Sequence, residues 1–169
     1  MGRVPDDPHE PDQVDVIVDA WKRERPDVDV SAMQVLSRVS RLARHLDRAR
    51  KQAFAAHELE TWEFDVLAAL RRSGPPYDLS PGRLVAETLV TSGTMTNRVD
   101  RLVARGLVER RRDPNDRRGV LVSLTASGRR SVDAALDELL LHEREILGAL
   151  DTTQATQLAD ALRILARQV

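Results

Sequence analysis

Apolar residues recur at helical spacing along most of this chain. Val14, Ile17, Val18 and Trp21 fall at i, i+3, i+4 and i+7, which predicts a helix with one buried face, ended by Pro26. Ser31 and Gln34 have capping-box spacing. A stripe of Met33, Leu36, Val39, Leu42, Ala43 and Leu46 then predicts a long helix reaching about His57. So narrow a stripe on so long a helix implies packing against a partner chain or another long helix. Thr61 is placed to cap a third helix that ends near Ser73-Gly74-Pro75-Pro76. Trp62, Phe64, Val66, Leu67, Ala68, Ala69 and Leu70 surround that helix almost completely, so it should be central and buried, with Asp65 inside it.

The pattern then changes. Ser80-Pro81 reads as an N-cap followed by proline at the first helical position, opening a short helix to about Leu89. After Val90-Thr91-Ser92 a further helix runs to Arg105 and stops at Gly106. Leu107 to Arg112 and Val120 to Leu124 read as two strands, the second alternating through Val120, Val122 and Leu124. Asp113-Pro114-Asn115-Asp116 between them favours a type I turn. A long helix from Thr125 and a last helix carrying Leu158, Leu162, Leu165 and Val169 complete the chain. The order of short helix, tight turn, helix and hairpin predicts a winged helix-turn-helix. The fold class is mainly α with a small β-hairpin wing and long N- and C-terminal dimerisation helices.

Net charge is only −1, which argues against a nucleic-acid partner until the distribution is considered. From Arg98 to Arg130 there are ten arginines against four acids, a local balance of +6. A basic segment in a neutral chain is an electrostatic footprint for nucleic acid, set against the plainer reading of a solvated face. Aromatic residues are 3%, too few for stacking on single strands to be the mode. There are no cysteines, so disulfides, thiolate metal sites and thiol redox sensing are excluded. No apolar run approaches a membrane span, and Met1 to Pro11 reads as an acidic flexible tail without a signal peptide, so the expected location is cytoplasmic. His9, His45, His57 and His142 are scattered without a nucleophile or carboxylate at motif spacing, and no phosphate loop or zinc motif is present. The reading is therefore not an enzyme, with no cofactor and no metal.

The helix before the hairpin carries the chemistry. At 100° per residue Met95, Val99, Leu102 and Val103 cluster on a core face, and Thr94, Asn97 and Arg101 lie opposite, flanked by Arg98 and Arg105. Arginine reads guanine, asparagine reads adenine, and threonine contacts either or the thymine methyl. These residues are expected in the N-terminal half of the helix, the part that enters the major groove. Arg117 and Arg118 follow the turn, where each either enters a minor groove or pairs with Asp113 or Asp116 and stiffens the loop. The different-class alternative is a helical protein-interaction module without DNA binding. It leaves the wing arginines and the Thr94, Asn97, Arg101 face without a purpose.

The run from Thr91 to Val108, with Asp113-Pro114-Asn115-Asp116-Arg117-Arg118-Gly119 and Val122-Ser123-Leu124-Thr125 after it, resembles the recognition helix and wing of MarR-type regulators. The similarity covers about Ser31 to Leu165 and is most specific at Asp116 and Arg118. The resemblance implies a homodimer joined by its terminal helices, bound to a near-palindromic double-stranded operator and released by a small anionic effector. Candidate DNA contacts are Ser92, Thr94, Thr96, Asn97, Arg98, Arg101, Arg117 and Arg118. The extra N-terminal helix with Trp21, and Trp62-Glu63-Phe64-Asp65-Val66-Leu67, resemble a urate-responsive branch, the PecS and HucR type. That likeness implies ligand contacts at Trp21, Asp65, Arg98 and Arg110, with Arg111 as an alternative to Arg110. Carboxylates such as aconitate or citrate, or a phenolic ligand, would suit the same arginines. A plainer reading makes Asp65 and Arg98 a structural ion pair and Trp21 a core residue. The expected organisation is a tail over 1–11, N-terminal helices for dimerisation and ligand over 12–60, the DNA-binding domain over 61–125, and C-terminal dimerisation helices over 126–169.

Overall fold

The computed structural model describes residues 10–114, 116 and 119–168. Among the described residues, seven helices and three strands follow one another as α1 (Gln13–Glu24), α2 (Met33–Ala55), α3 (Thr61–Arg72), β1 (Asp78–Leu79), α4 (Pro81–Thr88), α5 (Ser92–Ala104), β2 (Val108–Arg112), β3 (Val120–Leu124), α6 (Ala126–Leu147) and α7 (Thr152–Ala166). The described backbone divides into two compact units, one within residues 1–48 and 143–169 and the other within residues 49–142. The mainly helical class with a small wing holds.

In the first unit, Asp12 caps α1, its carboxylate accepting from Val14 N at 2.6 Å and Asp15 N at 3.1 Å. The Asp15 carboxylate accepts from Asp12 N at 2.9 Å, completing a capping box. Arg38 of α2 reaches Asp12 at 2.9 Å and Asp15 at 2.8 Å. The Arg38 guanidinium, and then the Asp12 amide, hold the Asp15 carboxyl below its ordinary value. Val14 and Val18 are buried as their spacing requires, but Trp21 is 48% exposed. The expected Ser31–Gln34 box does not form. Ser31 N donates to the Asp29 carboxylate at 2.9 Å, and Gln34 Oε1 accepts from Arg38 at 2.7 Å. Val35, Leu36, Val39 and Leu42 on α2, with Leu158, Leu162 and Leu165 on α7, stay exposed.

The second unit holds a core of Phe54, Leu67, Leu70, Leu84, Met95, Leu102, Val122 and Val132, all buried. Phe54 and Phe64 stack with ring centroids 4.0 Å apart. α3 is buried over Phe64 and Val66 to Leu70, so the sequence expectation of a central helix is met on most of its surface. Its N-cap is Glu60 rather than Thr61, and the Glu63 carboxylate accepts from Glu60 N at 3.0 Å. Asp65 is not inside: its side chain is 43% exposed and lies 3.6 Å from Arg50 of α2. The three strands are antiparallel in the order β1-β3-β2, with Val108 opposite Leu124 and Arg112 opposite Val120. β1 left no periodic signal because it has only two residues. Val120 is exposed at the outer end of β3, while Val122 and Leu124 are buried, because only the inner end of the hairpin meets the core.

The turn between α4 and α5 carries one strained position. Leu89 lies in the left-handed region, φ 54° and ψ 42°, with its side chain 92% exposed. An L-residue there costs about 1–2 kcal/mol, and glycine avoids that cost but loses more chain entropy on folding. No burial offsets the strain at Leu89. Leu89→Gly is therefore expected to stabilise the chain by roughly 0.5–1 kcal/mol. A thermal melt checks it: the midpoint should rise, and a fall would mean that the exposed side chain makes a stabilising contact.

Candidate nucleic-acid interface

Helices α4 and α5 form the two arms of a helix-turn-helix. Ser80 caps α4, accepting from Arg83 N at 3.3 Å, with Pro81 in the first turn. Thr91 caps α5, accepting from Thr94 N at 3.3 Å, and its hydroxyl lies 2.9 Å from that of Thr94. Met95, Val99 and Leu102 are 2% exposed or less and fix the rotation of α5 on the core. Val103, expected on that face, is 37% exposed, because it lies a further 100° round from Leu102, beyond the core's edge. The rotation turns Ser92, Gly93, Thr94, Thr96, Asn97 and Arg101 outward, and leaves Arg98 half-buried.

The exposed groups suit anionic and hydrogen-bonding partners. The first-turn amides of α5 at Ser92 and Gly93 lie at an exposed helix N-terminus, the end that favours phosphate. Thr96 returns its hydroxyl to Ser92 O at 3.1 Å, which leaves its methyl and a lone pair for outside contacts. A surface cleft of about 580 Å³ is lined by Glu60, Trp62, Gly93, Thr94, Asn97, Arg98 and Arg101. Arg98 and Arg101 lie over the Trp62 ring, 5.5 and 4.7 Å from its centroid. Arg101 Nη2 donates to Glu60 Oε1 at 3.0 Å, and Trp62 Nε1 donates to Glu60 Oε2 at 2.6 Å. The Trp62 N–H first, and the charge of Arg101 after it, hold the Glu60 carboxyl below its ordinary value.

Two expectations change here. Arg101 is in the last turn of α5, not its N-terminal half, because the helix runs only from Ser92 to Ala104 and ends soon after it. The Asp65–Arg98 pairing does not form: Asp65 faces Arg50, and Arg98 faces Trp62. Arg110 lies 2.7 Å from Asp100, and Arg111 pairs with Glu109 on its own strand. Trp21 belongs to the first unit, on α1. Arg117 and Arg118 lie outside the described residues, as does Asn115 of the turn. At the outer end of the hairpin, Asp113 N donates to Gly119 O at 3.0 Å and Gly119 N to Asp116 O at 2.9 Å.

Sequence reasoning missed the acidic partners of the arginines. Glu63 is 1% exposed and receives Arg105 Nη1, while Arg105 Nη2 donates to Glu58 O at 2.8 Å. Glutamates at the start of a helix read as caps, and nothing in their spacing points to a helix forty residues away.

A helix-turn-helix with an outward second helix, followed by an antiparallel hairpin, defines a winged helix-turn-helix DNA-binding protein. This chain belongs to the MarR family, whose profile matches residues 57–119. It is 38% identical over 146 residues to the HTH-type transcriptional regulator PecS of Dickeya dadantii, covering 86% of this chain and 88% of that one. A mutant MarR from E. coli complexed with operator DNA superposes with a TM-score of 0.66 at 26% identity, over 82% of this chain and 99% of that one. BpsR of Bordetella bronchiseptica, whose DNA binding is regulated by 6-hydroxynicotinic acid, superposes at 0.64 with 28% identity, over 78% and 92%. The chain is thus a PecS-like transcriptional regulator and not an enzyme. Among the described residues, no helix is long and apolar enough to cross a membrane.

Proposed function

We propose that this protein is a homodimeric repressor that binds a near-palindromic operator and is released by a small planar anion of the urate class. The observation that carries it is the outward face of α5, where Thr94 and Asn97 stand beside two arginines on Trp62. Two copies of that face, related by a two-fold axis, would meet two half-sites. The dimer is supported by the apolar side chains left uncovered in the first unit. Val35, Val39, Leu42, Leu46, Leu158 and Leu162 line an apolar groove of about 790 Å³ there, a face that a second copy would cover. In the DNA-bound state, Ser92, Thr94, Thr96, Asn97 and Arg98 take the major groove. Arg117 and Arg118 take the backbone or minor groove, and Arg101 reads from the last turn.

The ligand contacts proposed from the resemblance are Trp21, Asp65, Arg98 and Arg110. Arg98 is the member that also belongs to the DNA face. An anion that draws its guanidinium away from Trp62 removes a DNA contact, so ligand and operator share one residue. A carboxylate effector is the second reading, favoured by the likeness to a regulator that answers to an aromatic carboxylic acid.

The test is an anisotropy titration of an operator duplex recovered by in vitro selection, with and without urate. Couplings between sites are typically about 1–3 kcal/mol, so urate should weaken operator binding roughly 5- to 150-fold. Asp65→Asn is expected to keep the fold, since its carboxylate is half exposed, and to blunt that response. If urate leaves operator affinity unchanged while 6-hydroxynicotinate lowers it, the carboxylate reading replaces the urate one. If neither acts, the ligand proposal is wrong and the operator-binding reading stands by itself.

A further inference from the structure

We propose that Glu60 and Trp62 are positioning residues that set the plane of the Arg101 guanidinium, and through it the base preference of the last turn of α5. The inference rests on the reading that α5 lies in the major groove. It adds a second layer of residues that touch no DNA and yet determine what the helix reads.

The geometry is a closed set of contacts. Glu60 offers one carboxylate oxygen to the Trp62 indole N–H at 2.6 Å and the other to Arg101 at 3.0 Å. Arg101 in turn lies over the Trp62 ring, 4.7 Å from its centroid. The carboxylate holds one edge of the guanidinium while its carbon lies over the ring. Only one of the five guanidinium N–H groups is used in the Glu60 bond, so the far edge keeps its donors for a base. An unrestrained arginine would lose much of its rotamer freedom on binding. Here that loss occurs on folding instead, so binding loses less.

The support beneath is rigid. Glu63, 1% exposed, accepts Glu60 N at 3.0 Å and the Arg105 guanidinium with the same Oε2 atom. Arg105 also donates to Glu58 O at 2.8 Å. The segment from Glu58 to Glu63 therefore grips α5 one turn beyond Arg101, so Glu60 cannot drift relative to the arginine it orients. Arg98, 5.5 Å over the same ring, shares the platform but lacks a carboxylate partner there. It keeps the freedom that a ligand-shared residue needs.

The experiment compares the parent with Glu60→Gln, Trp62→Phe and Arg101→Ala on the selected operator duplex and on a scrambled duplex. Base preference is then mapped by substituting each operator position. Under the proposal Glu60→Gln lowers operator affinity about tenfold, in the range of one lost bidentate discrimination. It flattens preference at one base pair per half-site and leaves scrambled-duplex affinity equal or higher, because a negative charge has left the DNA face. Trp62→Phe keeps a ring but loses the N–H donor, and should move the same way by a smaller factor. Three results would overturn the proposal. Tighter operator binding by Glu60→Gln would make Glu60 a competitor of DNA. Equal weakening on both duplexes with a lowered melting temperature would make the cluster structural only. Unchanged operator affinity in Arg101→Ala would leave nothing to position, while parent binding to the operator would still uphold the DNA-binding function.

Discussion

Gly128→Ala is expected to destabilise the protein by about 3 kcal/mol or more, the upper range for overpacking a core. A Cβ on Gly128 would sit 2.0 Å from Leu107 O and 2.9 Å from Leu107 C, with Leu124 Cδ1 at 3.0 Å. The clash is with backbone, and that backbone is held. Leu107 O accepts from Thr125 N at 3.1 Å and lies 3.0 Å from Thr125 Oγ1. The same hydroxyl lies 2.8 Å from Gly106 O and accepts from Gly128 N at 2.9 Å. Thr125 thus caps α6 and ties its start to the joint where α5 gives way to β2. Relieving the clash means moving α6 off that joint, which carries the end of the DNA-facing helix with it. A thermal melt should fall by roughly 6–12 °C for a domain of this size. A melt within one degree of the parent would show that the joint yields easily, and that the close approach of α6 does not hold α5 in place.

Asn97→Ala is expected to give the largest loss of operator binding that leaves the fold intact. Asn97 is exposed on α5, next to the core residues Met95 and Val99 that aim it outward. Its truncation removes no buried contact, so stability should change by less than about 0.5 kcal/mol. A bidentate asparagine–adenine contact is worth about 1–3 kcal/mol, and a two-fold complex loses it twice. Operator affinity should fall by roughly thirtyfold or more. Scrambled-duplex affinity should hold, since an amide contributes no counterion release. Comparable affinity for the operator before and after the change would place the base-reading face elsewhere on α5.

The helices and the hairpin were legible because each carries a local signal. The Ser80-Pro81 start, the Gly106 stop and the Val122–Leu124 end of β3 depend only on neighbouring residues and on which side meets the core. The outward face of α5 followed from Met95, Val99 and Leu102 by rotation alone. What escaped was non-local. Arg105 read as a flank of the DNA face, but its charge is taken by Glu63, 42 residues earlier. The plainer reading of Asp65 as an ion-pair partner of Arg98 failed, because α2 brings Arg50 to it. Gly128 gave no signal, because a glycine inside a helix shows its reason only when the backbone it approaches is known. One local reading also failed: the capping box expected at Ser31 is absent because Asp29, two residues before it, and Arg38, four residues after Gln34, take its members for other bonds.

The most direct test of the central claim is the salt dependence of binding to the selected operator duplex, measured beside the scrambled duplex. If α5 and the wing bind double-stranded DNA, the logarithm of affinity falls linearly with the logarithm of salt, with a slope of about −0.9 per neutralised phosphate. The operator should also stay tighter by roughly a thousandfold or more at physiological salt. A flat salt response, or equal affinity for the two duplexes, would contradict the account.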